Sequence, residues 1–375
     1  MTLPTTETET GHGPGAETGP GPVAEAETRP GTAPPIARPL RVAVLGTAHV
    51  HLPDHLAAIE QHPDARLAAL HPGEPPWRTP VPGAPLARTP AQALSGADAA
   101  VLASTTAENG PLLELALAAG VPVLAEKPLG ADPAETAGLV AAIEAAAVPA
   151  TTAMFLRRAP ALRRVRTLLA EGALGPVVSG HLRFSHAGLA DGVFTGGAGW
   201  MLLPEHGGRG GFADLALHLV DLLRWLDPSA PLGMRARRLR HHGRRPLDVG
   251  GTALLDWGGA TVSVHAGWTV RPGGTHLHLE GEEGSVTVDG GLLTLATGGG
   301  TRRTEHHPPP RAGDALGAFL DQLLGRDVWT PPSPADILHT ARVLATDPPG
   351  RRSARGEQYL HPRTNVLYLF TRTIE

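Results

Sequence analysis

The stretch LRVAVLGTAHVHLPDHLAAIEQHPDARLAAL, residues 40–70, decides the fold. Residues 41–45 are a β-rich apolar run, Gly46 opens a turn, a helix-like stretch follows to about 61, and a second strand covers 65–70. The alternation continues outward. TPAQALSG reads as a helix, DAAVLAS (98–104) as a strand, PLLELALAAG as a helix ending at Gly120, and VPVLAE (121–126) as a strand. Asp132 is placed to cap the next helix, with Pro133 at its first position and Glu135 three residues after the cap. ATTAMFL (150–156) is a further strand. Strands alternating with helices over short connections argue for a parallel sheet covered on both faces.

The pattern changes after residue 157. A helix, PALRRVRTLLAEGALG, precedes a strand near 177–186 and a glycine-rich loop, and a strong helix follows at 211–226. From about 233 to 306 the chain reads as strands separated by glycine-rich turns, which predicts hairpins and a mainly antiparallel sheet. Helices near 313–324 and 334–346 close the fold. The expected domains are therefore 39–156 and 157–347. Residues 1–38 hold almost no large apolar side chain and read as a disordered tail. Residues 348–375 form an atypical tail with both tyrosines, Tyr359 and Tyr368, and an extra strand is expected at 365–371.

A net charge of -4 carries no signal for nucleic acid or a membrane surface. The chain has no cysteine, which excludes disulfides, cysteine-ligated zinc and thiol nucleophiles. No basic region followed by an apolar core opens the chain, and no apolar run approaches the ~20 residues of a membrane helix. A cytoplasmic protein is expected.

Three places carry residues suited to chemistry. In VLGTAHVH, only Gly46 matches the G-x-G-x-x-G dinucleotide pattern; Ala48 and His51 replace the other glycines. The second strand runs into His71, not into the acid that would hold the ribose of NAD, so the residues do not distinguish NAD from NADP. The second place is LAEKPLG (124–130). Of 32 Lys plus Arg, Lys127 is the one lysine, in a chain that uses arginine everywhere else. Lysine can lose a proton where arginine cannot, and Pro128 disfavours α geometry before it. The third is GGFADLALHLVDLLRWLD, where Leu215, Leu219, Leu222 and Leu226 make one stripe and Asp214, His218, Asp221 and Trp225 its neighbour. Asp214 and His218 are four apart and within reach on a helix, a pairing that suits a general base.

Together these pieces resemble the glucose–fructose oxidoreductase / inositol dehydrogenase / MocA family over roughly residues 41–347. AGVPVLAEKPL (119–129) and GGFADLALHLVDLLRWL (210–226) carry most of the likeness, and EGALGPVVSG (171–180) and LEGEEGSVTVDG (279–290) add to it. The resemblance implies a Rossmann-type domain followed by a domain on an open sheet, that is, an α/β plus α+β fold. It implies NAD or NADP as cofactor and a sugar, cyclitol or related polyol as substrate. Lys127, Asp214 and His218 become the catalytic residues, with His218 as the base steered by Asp214 and Lys127 on the same substrate oxygen. Gly46, Thr47, Ala48, His49, Val50, His71, Ser104, Thr105, Asn109, Glu126 and Lys127 would surround the cofactor. Trp200 and His206, in the loop 186–211, join Asp214 and His218 as substrate contacts. The resemblance also implies a homodimer or homotetramer formed through the second-domain sheet. The chain departs from the family in its degraded glycine pattern, in Ala216 where a glycine is usual, and in Asn109 where a histidine often stands.

Two other readings compete. A metal-dependent hydrolase could use His49 and His51, but its barrel needs eight strand–helix units and residues 233–306 read as hairpins. A family member that binds nicotinamide cofactor without catalysis fits the degraded glycine turn, whereas Lys127, Asp214 and His218 oppose it. A tyrosine-based short-chain dehydrogenase is excluded because neither tyrosine has a lysine four residues later.

Overall fold

The computed structural model describes residues 38–346 apart from 244, 327 and 328, together with the backbone of 359–360 and 367–368. The N-terminal tail, except for Arg38, lies outside the described residues. Arg38 already belongs to the folded domain, since its guanidinium holds both oxygens of Asp98 at 2.7 and 2.8 Å. Of the C-terminal tail, β14 (Tyr359–Leu360) and β15 (Leu367–Tyr368) pair antiparallel, and the rest of the strand expected at 365–371 lies outside the described residues.

The first sheet has five parallel strands in the order β2-β1-β3-β4-β5. They are β1 (Leu40–Leu45), β2 (Ala65–His71), β3 (Ala99–Leu102), β4 (Val123–Ala125) and β5 (Ala150–Thr152). Both faces are buried, and the strands divide their side chains by the period of two. Leu40, Val42 and Val44 enter one core, while Ala43 and Leu45 enter the other. Helices α1 (Leu52–Gln61), α2 (Pro90–Leu94), α3 (Thr106–Ala118) and α4 (Pro133–Ala145) connect the strands.

Three sequence expectations change here. Helix α3 begins five residues before the predicted Pro111, because Glu108 reaches back to the Thr105 amide at 3.1 Å and its hydroxyl at 2.9 Å. Pro111 then sits inside the helix. The Asp132 cap is realised on Ala134 and Glu135, but the Glu135 carboxylate accepts from Ala131, one residue further back than a capping box requires. The strand expected to reach residue 156 stops at Thr152, and Phe155–Arg158 turns as a 3₁₀ helix.

Helix α5 (Pro160–Ala170) leads into an eight-stranded sheet of order β13-β12-β11-β10-β6-β9-β8-β7. Its strands are β6 (Val177–Ser185), β7 (Leu232–Arg240), β8 (Gly250–Trp257), β9 (Ala260–Gly267), β10 (Gly274–Gly281), β11 (Gly284–Asp289), β12 (Leu292–Thr297) and β13 (Arg302–His306). Only the β6–β9 pair is parallel. Helix α6 (Gly210–Leu226) packs on the inner face of this sheet, against β6, β8 and β9. The outer face carries polar side chains tied across strands, with His181 on Ser263 at 2.9 Å, His265 on Thr252 at 3.1 Å and His278 on Thr287 at 2.8 Å.

The last two helices return to the first domain. Helix α7 (Asp314–Leu323) packs on α1, and α8 (Pro334–Ala345) on both α4 and α6. The seam is fastened by a buried arginine. Arg157 binds both oxygens of Asp221 on α6, at 2.8 and 2.6 Å, and reaches Asp336 on α8 at 3.3 Å. Among the described residues no helix is long and apolar enough to cross a membrane.

Candidate functional site

The carboxyl ends of β1, β2, β3 and β4 gather Gly46 to Val50, His71, Ser104, Thr105, Asn109, Glu126 and Lys127 at one edge of the parallel sheet. Gly46 has φ +84°, and a Cβ there would lie 2.6 Å from the Ser104 Cα. Only glycine permits that approach, which is the duty of the first glycine in a dinucleotide turn. The turn thus fits a nicotinamide dinucleotide in position and shape. Its polar groups, however, are engaged within the protein. The amides of Ala48 and His49 both donate to the Ala103 carbonyl at 2.9 Å. The Thr47 hydroxyl donates to the Pro72 carbonyl at 2.9 Å and accepts from the Thr79 amide at 3.0 Å. His71 accepts from the Gly73 amide at 3.3 Å.

Asn109 is a brace. Its carbonyl accepts from the Ser104 hydroxyl at 2.9 Å, and its amide donates to the Pro128 and Leu129 carbonyls at 3.0 and 3.3 Å. It thereby holds the loop after β4 in which Lys127 sits, before a cis Pro128. Glu126 works from the other side. It is buried, accepts from the Lys127 amide at 3.0 Å, and shares a proton contact of 2.7 Å with His55 of α1. Burial would raise the Glu126 carboxyl, but the His49 and His55 rings draw it well below the usual range.

Lys127 is 2% exposed, and its Nζ lies 2.5 Å from Asp214 Oδ1 and 3.2 Å from the Asp214 carbonyl. The second Asp214 oxygen accepts from the Trp268 indole at 2.9 Å. The sequence expectation of an Asp214–His218 hydrogen bond is therefore replaced. Helical spacing put the two residues in reach, but the other domain and the end of β9 supply stronger donors. Both ring nitrogens of His218 are buried without a hydrogen-bond partner, and the ring is held edge-on by Phe155 and Phe184. Burial alone would push the Asp214 carboxyl up; the Lys127 ammonium and the Trp268 donor outweigh it and hold it at about 2.

Trp268 was invisible as a site residue in the sequence, since nothing in a strand-end tryptophan announces its partner. Trp268→Phe keeps the ring and removes the donor. Leaving Asp214 Oδ2 buried and unpaired is expected to cost about 1–3 kcal/mol and to move the acid limb of activity to higher pH. A pH–rate profile unchanged from the parent would show that the indole N–H does not act on Asp214.

Burial also governs the histidines. It pushes His49 down to about 3, against the pull of Glu126. It pushes His218 well below the ordinary imidazole range, and the Lys127 ammonium adds to the effect. Both rings stay neutral in the folded chain at pH values where the unfolded chain, titrating near 6.5, takes up protons. Their folded pKa values are lowered, so stability is complete above about 6.5 and falls as pH drops below it. Each ring is expected to remove roughly 1.4 kcal/mol per pH unit there. Urea unfolding at pH 7, 6 and 5 measures this, and equal midpoints would contradict it.

Trp200 and His206 part company. Trp200 lies beside Lys127, but its indole donates to the Ala48 carbonyl at 3.0 Å, so it grips the glycine turn. His206 sits edge-on to Trp77, with centroids 5.2 Å apart, and does not line the space beside Lys127. That space, bounded by Thr106, Trp200, Met201, Asp214 and Trp268, amounts to about 10 Å³, close to a single water. Among the described residues no group of three His, Asp or Glu is arranged to hold a metal ion, and the open sheets are not the barrel of the hydrolase reading.

Comparison with known proteins agrees with this architecture. Residues 40–153 match the model described as the oxidoreductase family, NAD-binding Rossmann fold, and residues 162–287 match the GFO/IDH/MocA C-terminal domain. A D-apiose dehydrogenase of Paraburkholderia graminis is 28% identical over 217 residues, covering 56% of each chain. A dTDP-3,4-didehydro-2,6-dideoxy-alpha-D-glucose 3-reductase of Streptomyces violaceoruber is 32% identical over 203 residues, 51% of this chain and 54% of that one. The chain thus spans about half the length of these curated relatives. Among solved structures, an inositol dehydrogenase homolog from Azotobacter vinelandii complexed with NAD+ superposes with a TM-score of 0.68 at 16% identity, over 82% of this chain and 94% of that one. A 3-ketoreductase from Actinomadura kijaniata in complex with TDP-benzene and NADP gives 0.64 at 22% identity, over 82% and 96%.

Proposed function

The chain belongs to the GFO/IDH/MocA oxidoreductase family, and from that premise we propose that it transfers hydride between NAD or NADP and a hydroxyl-bearing carbon of a sugar, cyclitol or related polyol. One observation carries the reading. The single lysine of the chain is buried at the carboxyl edge of the parallel sheet and locked to Asp214 of the second domain. The bound nicotinamide would supply the hydride donor or acceptor. The turn from Gly46 to Val50, with Ser104, Thr105 and Glu126, would hold it.

The protein's own part concerns the substrate proton. Oxidation of a carbinol releases a proton from its oxygen, and the unpartnered His218 ring is the group assigned to accept it, against the burial and the Lys127 charge that lower its proton affinity. Lys127 donates a hydrogen bond to the same oxygen and stabilises alkoxide charge. Asp214 fixes the lysine and, through Trp268, is itself fixed. The general base thus acts beside the Lys127–Asp214 pair and is not oriented by Asp214. The buried glycine turn favours a second reading, a family member that binds the cofactor weakly or without turnover.

Titration with NADH and NADPH, followed by a turnover screen over polyols and sugars, separates the two. Saturable binding with turnover of at least one polyol supports the enzyme. Binding with no turnover supports the second reading, and no binding ends both. The same reading places the protein in the cytoplasm and has copies meeting through the outer face of the eight-stranded sheet. Light scattering tests that assembly, and a monomer at working concentration would count against it.

A further inference from the structure

The registers of the eight-stranded sheet spell out its outer face. Leu182, Val262, Val264 and Leu277 are buried on the inner side, so their neighbours along each strand point outward by the period of two. One outward row runs Thr252, His265, Arg183, His276, Asp289 across β8, β9, β6, β10 and β11. The next row runs Leu254, Ser263, His181, His278, Thr287 across the same strands. His181, His265, His276 and His278 thus gather on three adjacent strands, around Arg183. The His181 and His276 rings lie 5.8 Å apart. His181, His265 and His278 are anchored through Nδ1 on the hydroxyls of Ser263, Thr252 and Thr287. His276 Nδ1 lies 3.9 Å from Asp289.

The fixed charges around this grid are mostly spent or distant. Arg238 and Arg240 stand on β7, level with Thr252 and Gly250. Asp256 on β8 is engaged by Arg235, and Glu280 on β10 by Ser179 and His278. Among the described residues Arg183 has no carboxylate partner, while the Asp289 side chain is 68% exposed. An open cation and an open anion on one face make it self-complementary under a two-fold axis. Leu254 and Leu292, on β8 and β12, add exposed apolar side chains to a face that is otherwise polar. The histidines already resist protonation. Burial lowers His181, and the Arg183 and His278 charges add to it. Burial lowers His265, with Arg240 and His181 adding. Burial lowers His276, against the pull of Asp289.

We propose that the histidine grid makes the pairing of copies depend on pH: two copies meet through this face while its rings are neutral, and part when the rings take up protons. This rests on the assembly reading above. Imidazole changes charge near pH 6.5. On a free copy the outer side of the grid is open to water, which solvates a protonated ring. In the pair that water is displaced and a second set of the same rings is brought up, so both burial and like charge oppose the proton. The pKa values are therefore lower in the pair than in the free copy. Association is complete above the free-copy values and weakens as pH falls below them. Each ring counts twice, because the interface presents the same face from both sides. A drop of one pKa unit for a single ring in each copy weakens pairing about 100-fold once pH is below both values.

The test is sedimentation equilibrium of the full chain at pH 7.5 and 5.5, with the fold followed by circular dichroism. The parent is compared with a variant carrying His181→Gln, His265→Gln, His276→Gln and His278→Gln. The self-dissociation constant of the parent is expected to rise on the order of 100-fold at the lower pH, and that of the variant by less than about 3-fold. The single change His276→Gln, expected to remove part of the rise, is read in the same way should the fourfold variant not fold. Both variants keep His49 and His218, whose protonation loosens the fold over the same range. Equal weakening in parent and variant would therefore place the cause in the core and overturn the grid. A parent equally tight at both pH values would also overturn it and leave the assembly standing. A parent monomeric at both would overturn the assembly reading, and the grid with it.

Discussion

Arginine in place of Lys127 is expected to lower turnover by roughly 10²- to 10⁴-fold, the scale of a lost general acid–base or oxyanion contact. The substitution keeps the positive charge opposite Asp214, so the ion pair and the fold should survive. It does not keep the chemistry. The guanidinium spreads its charge over a plane, does not give up a proton in proteins, and needs more room than an ammonium. Lys127 Nζ sits 2.5 Å from Asp214, and the adjoining space is about 10 Å³. An arginine there turns its donors toward the carboxylate and has none at the substrate oxygen. The check is a comparison of kcat for Lys127→Arg and parent on any polyol found to turn over, with melting temperatures measured beside it. A folded variant with near-parental kcat removes Lys127 from the reaction.

The second large effect is structural. Replacing Arg157 by methionine is expected to destabilise the protein by about 3–5 kcal/mol, the range for removing one partner of a buried ion pair. Arg157 holds Asp221 through two hydrogen bonds and also reaches Asp336, and its side chain is 1% exposed. Burial already pushes the Asp221 carboxyl upward, the Asp336 carboxylate adds to it, and without its arginine Asp221 is buried with no cation to hold it. Adding Asp221→Leu should recover most of the loss, because a pair replaced as a unit leaves no stranded charge. Urea unfolding of the single and double variants measures both steps. A loss below about 1 kcal/mol for the single change would mean that the network contributes little.

How far the sequence revealed the protein follows from what each signal depends on. Lys127 was legible because every other lysine-or-arginine position of the chain is arginine. The parallel sheet was legible because strands and helices alternate with short connections. Helix α6 was legible from its leucine stripe. Partners were not. The spacing of Asp214 and His218 says who is near on one helix, but the winning donors, Lys127 and Trp268, come from a loop after β4 and the end of β9. The start of α3 was hidden by Pro111, which reads as a beginning, while the true signal was Thr105 with Glu108 three residues on. Segment 194–208 has apolar residues (Phe194, Trp200, Met201) but no strand or α-helix period to orient them, so only its contacts reveal what it covers. Helices α7 and α8 follow the second domain in sequence, yet Ile337 on α8 completes a core of the first.

A chain with one lysine, and that one buried, is also a reagent-ready object. An amine-directed acylating reagent meets a single side-chain target in the whole sequence. While Trp200, Met201 and Trp268 close around it, that target is shielded, and modification must wait for the protein to open. The rate of labelling at Lys127, separated from the terminal amine by peptide-level mass spectrometry, then becomes a clock for that opening, read without any substrate being known.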